Sequence, residues 1–140
     1  MAKKYLLDSN ICIYFLRGQK GIDTIIEKVG WENCCISQMA YAELLYGAEC
    51  SKNVVRNKQE VISFCNDISM QSIDDGVVEE YAKQKAILRR KGTPIDDMDI
   101  LIGCTAIVNN CVMVTENVKH LGKLENITIE NWIEMFKLKM

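Results

Sequence analysis

Short apolar runs alternate along this chain with longer segments in which apolar positions recur every three or four residues. The short runs are bounded by polar residues and predict strands at 4–8, 34–37, 69–73 and 111–115. A fifth run of similar character, at 126–130, is a weaker strand candidate. The pattern therefore predicts four to five short strands.

Helical periodicity fills the segments between these runs. Ser37 is the predicted N-cap of the helix after the second run, and Gly92 follows the end of a later helix. Thr93 as N-cap and Pro94 at the first helical position predict where the last long helix begins. The predicted helices span 10–16, 22–29, 38–50, 53–66, 76–91 and 94–110.

Strands that alternate with helices predict βαβ units and a parallel sheet with right-handed crossovers. We therefore expect an α/β fold, a three-layer α/β/α sandwich around a central parallel sheet of four to five strands. The chain has 140 residues, a single proline and no repeats. That length suits one hydrophobic core, so we expect a single domain spanning 1–140.

Charge and hydropathy exclude several function classes. The formal net charge of -2 gives no general attraction for polyanions, so any nucleic-acid contact must rest on a local basic patch. The apolar run at 100–108 is far shorter than the roughly 18 residues that a membrane span requires. The first apolar stretch is broken at Asp8, too early for a signal peptide. We expect a cytoplasmic protein without membrane contact.

Cysteines are frequent, but they do not form a recognisable metal or redox motif. There are seven, and no two have the C-x-x-C spacing. Most lie in apolar runs, where a reduced thiol packs as a small hydrophobic group. A redox role for the neighbours Cys34 and Cys35 stays open. The single histidine, His120, is expected at the surface.

Asp8 is the first acid that the hydrophobic pattern does not explain. It ends the first apolar run, and ligands of parallel sheets collect outside the carboxyl ends of the strands. An Asp followed by Ser9 and Asn10 is equally typical of a helix cap. Asp8 alone therefore leaves both interpretations open.

Glu43 lies inside an apolar stripe. At 100° per residue it shares a helix face with Met39, Tyr46, Gly47 and Cys50. A buried unpaired carboxylate costs several kcal/mol, so it must pair with a cation, take up a proton or bind a metal. A purely structural ion pair remains an alternative.

Asp99 is one of three aspartates at the start of a nearly all-apolar helix. Asp96 has the position of a capping-box acid, and Asp97 can face solvent and favour the helix dipole. Asp99 shares a line with Gly103 and Ala106, small residues that allow a neighbouring element to approach, so its carboxylate should face the protein.

Convergence of Asp8, Glu43 and Asp99 would bring like charges together. Two of them about 4 Å apart would repel by roughly 4 kcal/mol at an effective dielectric of 20. A divalent cation relieves that repulsion, and a set of oxygen ligands favours Mg2+, or Mn2+ in its place. Such a site suits hydrolysis of phosphodiesters.

The chain resembles the PIN-domain ribonucleases, most closely the VapC-type toxins of bacterial toxin–antitoxin pairs. The resemblance covers nearly the whole length and rests on four blocks in the family's order. It implies that Asp8, Glu43 and Asp99 are catalytic metal ligands of a Mg2+-dependent endoribonuclease that acts as a toxin. The blocks are LLDSNICIYFLRG, AYAELLYGAE, GTPIDDMDILIGCTAIVNN and VMVTENVKHLGKLENITIENW.

One position departs from the family pattern. Many members carry a fourth acid after the last long strand, where this chain has Asn117. Asn117 can supply a carbonyl ligand or hold a water, and the adjacent Glu116 could substitute by a shift of one residue. Ser9 and Asn10 match the polar pair that follows the first Asp, and they either orient its carboxylate or cap the helix.

The resemblance also implies RNA as substrate, a cognate antitoxin and a homodimer. Tyr14, Tyr41 and Tyr46 lie in helices apolar enough for an interface, although burial within the domain explains them as well. A solvated helix face is the alternative to an RNA contact for most of the basic candidates. Those candidates are Arg17, Lys83, Lys85, Arg89 and Arg90.

Two further functions remain in competition. Without the fourth acid, the chain could be a catalytically impaired PIN-like protein that only binds RNA or antitoxin. Phosphatase or phosphoacceptor chemistry is less favoured, because DSN at 8–10 lacks the D-x-D pair of a phosphoaspartate hydrolase.

Overall fold

The computed structural model describes residues 3–137, and within that range five parallel strands form one sheet. The strands are β1 (Tyr5–Leu7), β2 (Cys34–Ser37), β3 (Ser69–Gln71), β4 (Val112–Val114) and β5 (Ile129–Glu130). Their spatial order is β3-β2-β1-β4-β5, so β1 is central. The predicted fold class, with all five strand candidates, is confirmed.

Helices cover both faces of this sheet. The predicted long helices are all present, with ends that differ by up to three residues from the sequence prediction. Two short helices near the C-terminus and a 3-10 turn at 31–33 were not predicted, since four to six residues show too little periodicity. The α-helices are α1 (Ser9–Leu16), α2 (Ile22–Val29), α3 (Gln38–Glu49), α4 (Val54–Asp67), α5 (Asp75–Lys91), α6 (Asp97–Val108), α7 (Val118–Leu121) and α8 (Trp132–Lys137).

Side chains that alternate along the strands divide the interior into two cores. On β1, Leu7 packs with α1, α2, α4 and α8, whereas Leu6 packs with α5, α6 and α7 on the other face. Both leucines are fully buried. Period-two alternation places successive side chains on opposite faces, and this produces the three layers.

The prediction for the start of α6 was wrong. Thr93 does not cap this helix; its N–H instead bonds the carbonyl of Leu88, while Gly92 at φ 70° bonds Arg89. These two hydrogen bonds end α5 in a Schellman motif, so the backbone of Thr93 belongs to the end of α5 and not to the start of α6. Pro94 follows that end, and α6 begins at Asp97 with Asp96 as its N-cap. Asp96 is therefore not a capping-box acid.

Five of the seven cysteines are buried as free thiols, whereas Cys65 is half-buried and Cys50 is exposed. Cys34 and Cys35 are both buried, but they belong to cores on opposite faces of the sheet. Burial, aided by the charge of Glu32, raises the pKa of Cys34 to about 11. None of the helices within residues 3–137 combines the length and apolar character that a membrane crossing requires.

The order of the strands predicts a ligand-binding crevice at the carboxyl ends of β1 and β4. The chain runs outward from β1 to β2 and β3, then returns to the other side of β1 to form β4. The order therefore reverses at β1 and β4, and the carboxyl ends of such strands form a ligand-binding crevice in open α/β sheets. Asp8 and Thr115 follow these two strands directly.

Candidate acidic site at the carboxyl edge of the sheet

Asp8 is held rigidly at the end of β1. Its backbone N–H bonds the carbonyl of Val114 on β4, and its side chain is only 4% exposed. The carboxylate accepts the Ser9 N–H at 2.8 Å and the Thr115 hydroxyl at 2.7 Å. Burial raises the pKa of Asp8 above its usual value, although both hydrogen bonds oppose the rise. Asp8 is thus both the N-cap of α1 and a buried acid.

Glu43 reaches the same edge from α3. Ser37 ends β2 and caps α3 by accepting the Ala40 N–H at 2.9 Å, as predicted. Glu43 is half-buried, and its Oε1 atom is buried without a hydrogen-bond partner in the described part of the chain. A carboxylate oxygen left in this state is costly unless something else satisfies it.

The pKa of Glu43 is affected by its burial and by the charges around it. Burial is the largest cause that raises the pKa of this carboxyl, and the charges of Asp8, Asp99 and Asp96 raise it further. A hydrogen bond with the Ser9 side chain acts in the opposite direction. Four acids from three separate parts of the chain, the end of β1, α3 and the start of α6, therefore act on one another at this edge.

Asp99 comes from the first turn of α6. It is half-buried, and the Asn117 side-chain amide donates to its Oδ2 atom at 3.3 Å. Burial raises the pKa of Asp99, followed by the charges of Asp8 and Asp96, while nearby His120 lowers it. His120 is exposed, as expected.

Thr115 is a site residue that the sequence analysis missed. Its hydroxyl donates to Asp8 and accepts the Asn117 N–H at 2.9 Å, so it connects β1 to the loop after β4. Its position was the available signal, because a polar residue at the carboxyl end of a central strand faces the same crevice as Asp8. Asp96 was also missed, because a capping role had been assigned to it.

The two residues that follow Thr115 have different hydrogen-bond partners. Asn117 faces Asp99, whereas Glu116 is exposed and accepts a hydrogen bond from the Tyr14 hydroxyl. Asn10 is exposed on α1. Ser9 contacts the acids through its backbone N–H to Asp8 and its side chain to Glu43.

The donor set fits a hard divalent cation. It offers carboxylate oxygens, among them the unpartnered Oε1 of Glu43, and no thiol or imidazole ligand is needed. Among residues 3–137, no group of three or more His, Cys, Asp and Glu side chains is arranged so that it could hold a metal ion as it stands, so the fit to a cation rests on the types of donor. Burial raises the pKa of Asp8, Glu43 and Asp99, and repulsion from neighbouring acids raises it further for Glu43 and Asp99. A cation would favour ionisation of these carboxyls.

Basic candidates lie at the end of α1 and on α5. Arg17 ends α1 and lines a groove of about 180 Å³ between α1, α3 and α4, with Glu43 also in the wall. The others are exposed on α5, where Lys85 already pairs with Asp97 at 2.8 Å. No ion pair within the described residues involves the remaining three, which are Lys83, Arg89 and Arg90.

Comparison with known protein families decides the family. The family model described as PIN domain matches residues 5–124. The chain belongs to the PIN domain family.

Curated relatives of this PIN domain are ribonucleases. Ribonuclease VapC2 of Rickettsia felis is 31% identical over 132 residues, which cover 91% of this chain and 97% of the relative. The tRNA(fMet)-specific endonuclease VapC of Salmonella typhimurium is 31% identical over 131 residues, with coverage of 92% and 98%. The resemblance to VapC-type PIN domains is thereby confirmed.

Solved structures agree with this assignment. DNA-bound VapBC from Salmonella typhimurium matches this PIN domain with a TM-score of 0.87 and 30% identity, over 93% of this chain and 98% of that one. VapBC2 from Rickettsia felis, bound to a DNA fragment from their promoter, gives a TM-score of 0.85 and 29% identity. That match covers 91% of this chain and 98% of the other.

Proposed function

We propose that this PIN domain is a divalent-metal-dependent endoribonuclease and the toxin of a toxin–antitoxin pair. The observation that carries the proposal is the meeting of Asp8, Glu43 and Asp99 at the carboxyl edge, with a buried oxygen of Glu43 left unpartnered. Full-length relatives that are ribonucleases support the reaction class. RNA phosphodiesters are accordingly the proposed substrate.

Each of the three acids has a distinct part in holding Mg2+, or Mn2+ in its place. Asp8 accepts hydrogen bonds from the Ser9 N–H and the Thr115 hydroxyl, and these orient its carboxylate at the edge. Glu43 contributes the unpartnered oxygen, and Asn117 orients Asp99. When bound, the cation supplies Lewis-acid chemistry, which activates water and polarises a phosphoryl oxygen.

Basic side chains would hold the RNA backbone beside this edge. Arg17 shares a groove wall with Glu43, and α5, on which the other cations are exposed, packs against α6, which carries Asp99. Phosphate contacts of this kind position a strand without reading its sequence. We therefore propose phosphate binding for Arg17, Lys83, Lys85, Arg89 and Arg90.

An antitoxin is the proposed protein partner. The solved relatives are VapBC assemblies, and the groove between α1, α3 and α4 opens beside Glu43. Its apolar lining, including Ile13 and Leu16, suits a partner segment that would also cover the acids. A homodimer is proposed as well, because Tyr46 on α3 is 72% exposed, whereas Tyr14 and Tyr41 pack against the core.

A protein that only binds RNA or antitoxin is the second candidate. It is favoured by one observation, the amide of Asn117 in the position where many family members carry a fourth acid. This candidate binds RNA without dependence on metal, which separates it from the nuclease.

The test is RNA cleavage by the purified chain with Mn2+ or Mg2+. Asp8→Asn, Glu43→Gln and Asp99→Asn should each lower the cleavage rate by at least about 100-fold, because even residues outside the ligand shell cost 10–100-fold. Circular dichroism should show an unchanged fold. Gel electrophoresis of total RNA and growth after induction are the measurements.

Asp23→Asn, an exposed acid of α2, is the charge-matched control and should leave cleavage unchanged. Full activity in all three site variants would refute the metal site. Absence of cleavage by the natural chain, combined with RNA binding that survives EDTA, would favour the binding protein instead.

A further inference from the structure

The loop after β4 presents no carboxylate to the acids at the edge. Asn117 turns its amide nitrogen toward Asp99, since that nitrogen donates to Oδ2 at 3.3 Å. Glu116 is exposed and is the acceptor of the Tyr14 hydroxyl. Neither residue therefore supplies a negative charge at the position where many PIN domains carry their fourth acid.

Asp96 is an N-cap residue that does not cap its helix. Ser37, Asn53 and Asp74 occupy the same position in α3, α4 and α5, and each of their side chains accepts a helix N–H. The Asp96 side chain accepts none, although its backbone is extended at φ -61° and ψ 139°. No side-chain hydrogen bond or ion pair joins it to any other residue within 3–137. Its carboxylate is thus free for another role.

Helix geometry brings Asp96 beside Asp99. Asp96 is the N-cap and Asp99 the third helical residue, and side chains in these two positions are neighbours in the capping box. The charge of Asp96 also acts on Glu43 across the gap between α6 and α3. Asp96 is exposed, whereas the Oε1 atom of Glu43 is buried and has no hydrogen-bond partner among the described residues.

We propose that Asp96 is the fourth carboxylate of this site and binds a divalent cation together with Asp99 and Glu43. It takes the place of the acid that many family members carry at the position of Asn117. The inference rests on the proposed function, since it extends the same metal site. It assigns a ligand role to a residue outside the family's pattern of acids. A fourth negative charge allows the site to retain a cation more strongly than three carboxylates do.

Asp97 provides a matched control from the adjacent residue. Its Oδ1 atom is bound by Lys85 at 2.8 Å and by the Tyr81 hydroxyl at 2.9 Å, so its carboxylate is directed toward α5. Asp97→Asn removes the same charge as Asp96→Asn from the same helix turn. Only Asp96→Asn removes a carboxylate that acts on Glu43 and Asp99.

The experiment measures Mn2+ binding to the full chain by calorimetry at pH 7.5, without RNA. We expect Asp96→Asn to weaken Mn2+ binding about tenfold, or to remove one of two bound ions, whereas Asp97→Asn changes affinity by less than about twofold. Equal binding by the Asp96→Asn and Asp97→Asn variants would overturn the inference. Circular dichroism checks that both variants fold.

A second variant tests the replacement itself. Asn117→Asp should restore Mn2+ affinity in the Asp96→Asn background, because it returns a carboxylate to the loop that already contacts Asp99. Failure of this rescue would contradict the idea that Asp96 stands in for that acid.

Failure of the inference and failure of the proposed function are distinguishable. If Asp8→Asn abolishes Mn2+ binding while Asp96→Asn matches Asp97→Asn, the three-acid metal site stands and the role of Asp96 is wrong. If the natural chain binds no Mn2+, both are wrong.

Discussion

Thr115 is the residue on which the orientation of Asp8 depends. Both side chains are buried, and the hydroxyl that donates to Asp8 also accepts the Asn117 N–H. A buried carboxylate needs its hydrogen bonds, because a lost donor leaves the full desolvation cost of the charge uncompensated. Thr115 therefore stabilises the acid that a functional site requires.

Thr115→Val should lower the free energy of unfolding by about 1–3 kcal/mol at pH 7.5 without metal, because it removes a donor from a buried charge while keeping the side-chain shape. Urea denaturation is the measurement. Thr105→Val is the control, since this fully buried hydroxyl donates only to the Leu101 carbonyl within α6. Equal losses in the two variants would show that Asp8 does not depend on Thr115.

At the scale of elements, α6 shows how close packing positions Asp99. The helix carries Gly103 one turn beyond Asp99, and a Cβ there would lie 2.3 Å from Leu124 and 3.1 Å from Leu121. The chain that follows Asn117 can approach α6 because Gly103 has no side chain. The small residues Gly103 and Ala106 predicted a close approach at this face, and the neighbours are α7 and the turn after it.

Gly103→Ala should destabilise the protein by about 0.5–2 kcal/mol, because overpacking of about 1–3 kcal/mol exceeds the gain in helix propensity. Gly47→Ala in α3 is the matched control, since a Cβ there meets nothing within 4 Å. That control should stabilise by about 0.5–1 kcal/mol. Thermal unfolding followed by circular dichroism compares the two, and an identical sign would contradict the packing argument.

At the scale of the whole molecule, the carboxylates at the carboxyl edge of the sheet lower the free energy of unfolding when they are ionised. Asp8, Glu43 and Asp99 all have a pKa above the usual value, mainly because of burial and then, for Glu43 and Asp99, because of repulsion between the acids. The folded state then binds more protons than the unfolded chain between the two pKa values. Stability from these groups is fully present below the unfolded pKa and is lost as the pH rises through the folded pKa.

Glu43→Gln should therefore stabilise the metal-free protein at pH 7.5 while it abolishes cleavage. Partial exposure of Glu43 screens the repulsion, so we expect a gain of about 0.5 kcal/mol. The gain should shrink as the pH falls toward the usual glutamate pKa of 4.5, where the natural side chain also becomes neutral. Urea unfolding across pH 4–8 is the measurement.

Glu49→Gln, on the same helix, is the control and should not stabilise, because Glu49 pairs with Lys58 at 2.7 Å on the surface. A loss of stability in Glu43→Gln at pH 7.5 would show that this acid is not under electrostatic strain in the absence of metal.

Local patterns in the sequence were sufficient for much of the fold. Apolar runs and turn residues predicted every strand of the sheet and the six longer helices, because alternation and helical periodicity are properties of adjacent residues. They failed at Thr93 and Pro94, where the same residues suit the end of one helix or the start of the next. Gly92 and Thr93 close α5, and only the two bonds of that motif show it.

Patterns of residues along the chain were enough to predict the fold class, the family resemblance and three acids out of place in apolar surroundings. Tertiary structure decided which groups meet those acids: Thr115 on Asp8, Asn117 on Asp99, and Asp96 free beside them. The two kinds of information differ in the separation of the residues along the chain. Burial patterns arise from residues close together in sequence. Hydrogen bonds and repulsion between these charges depend on distances that are set only when β1, β4, α3 and α6 pack together.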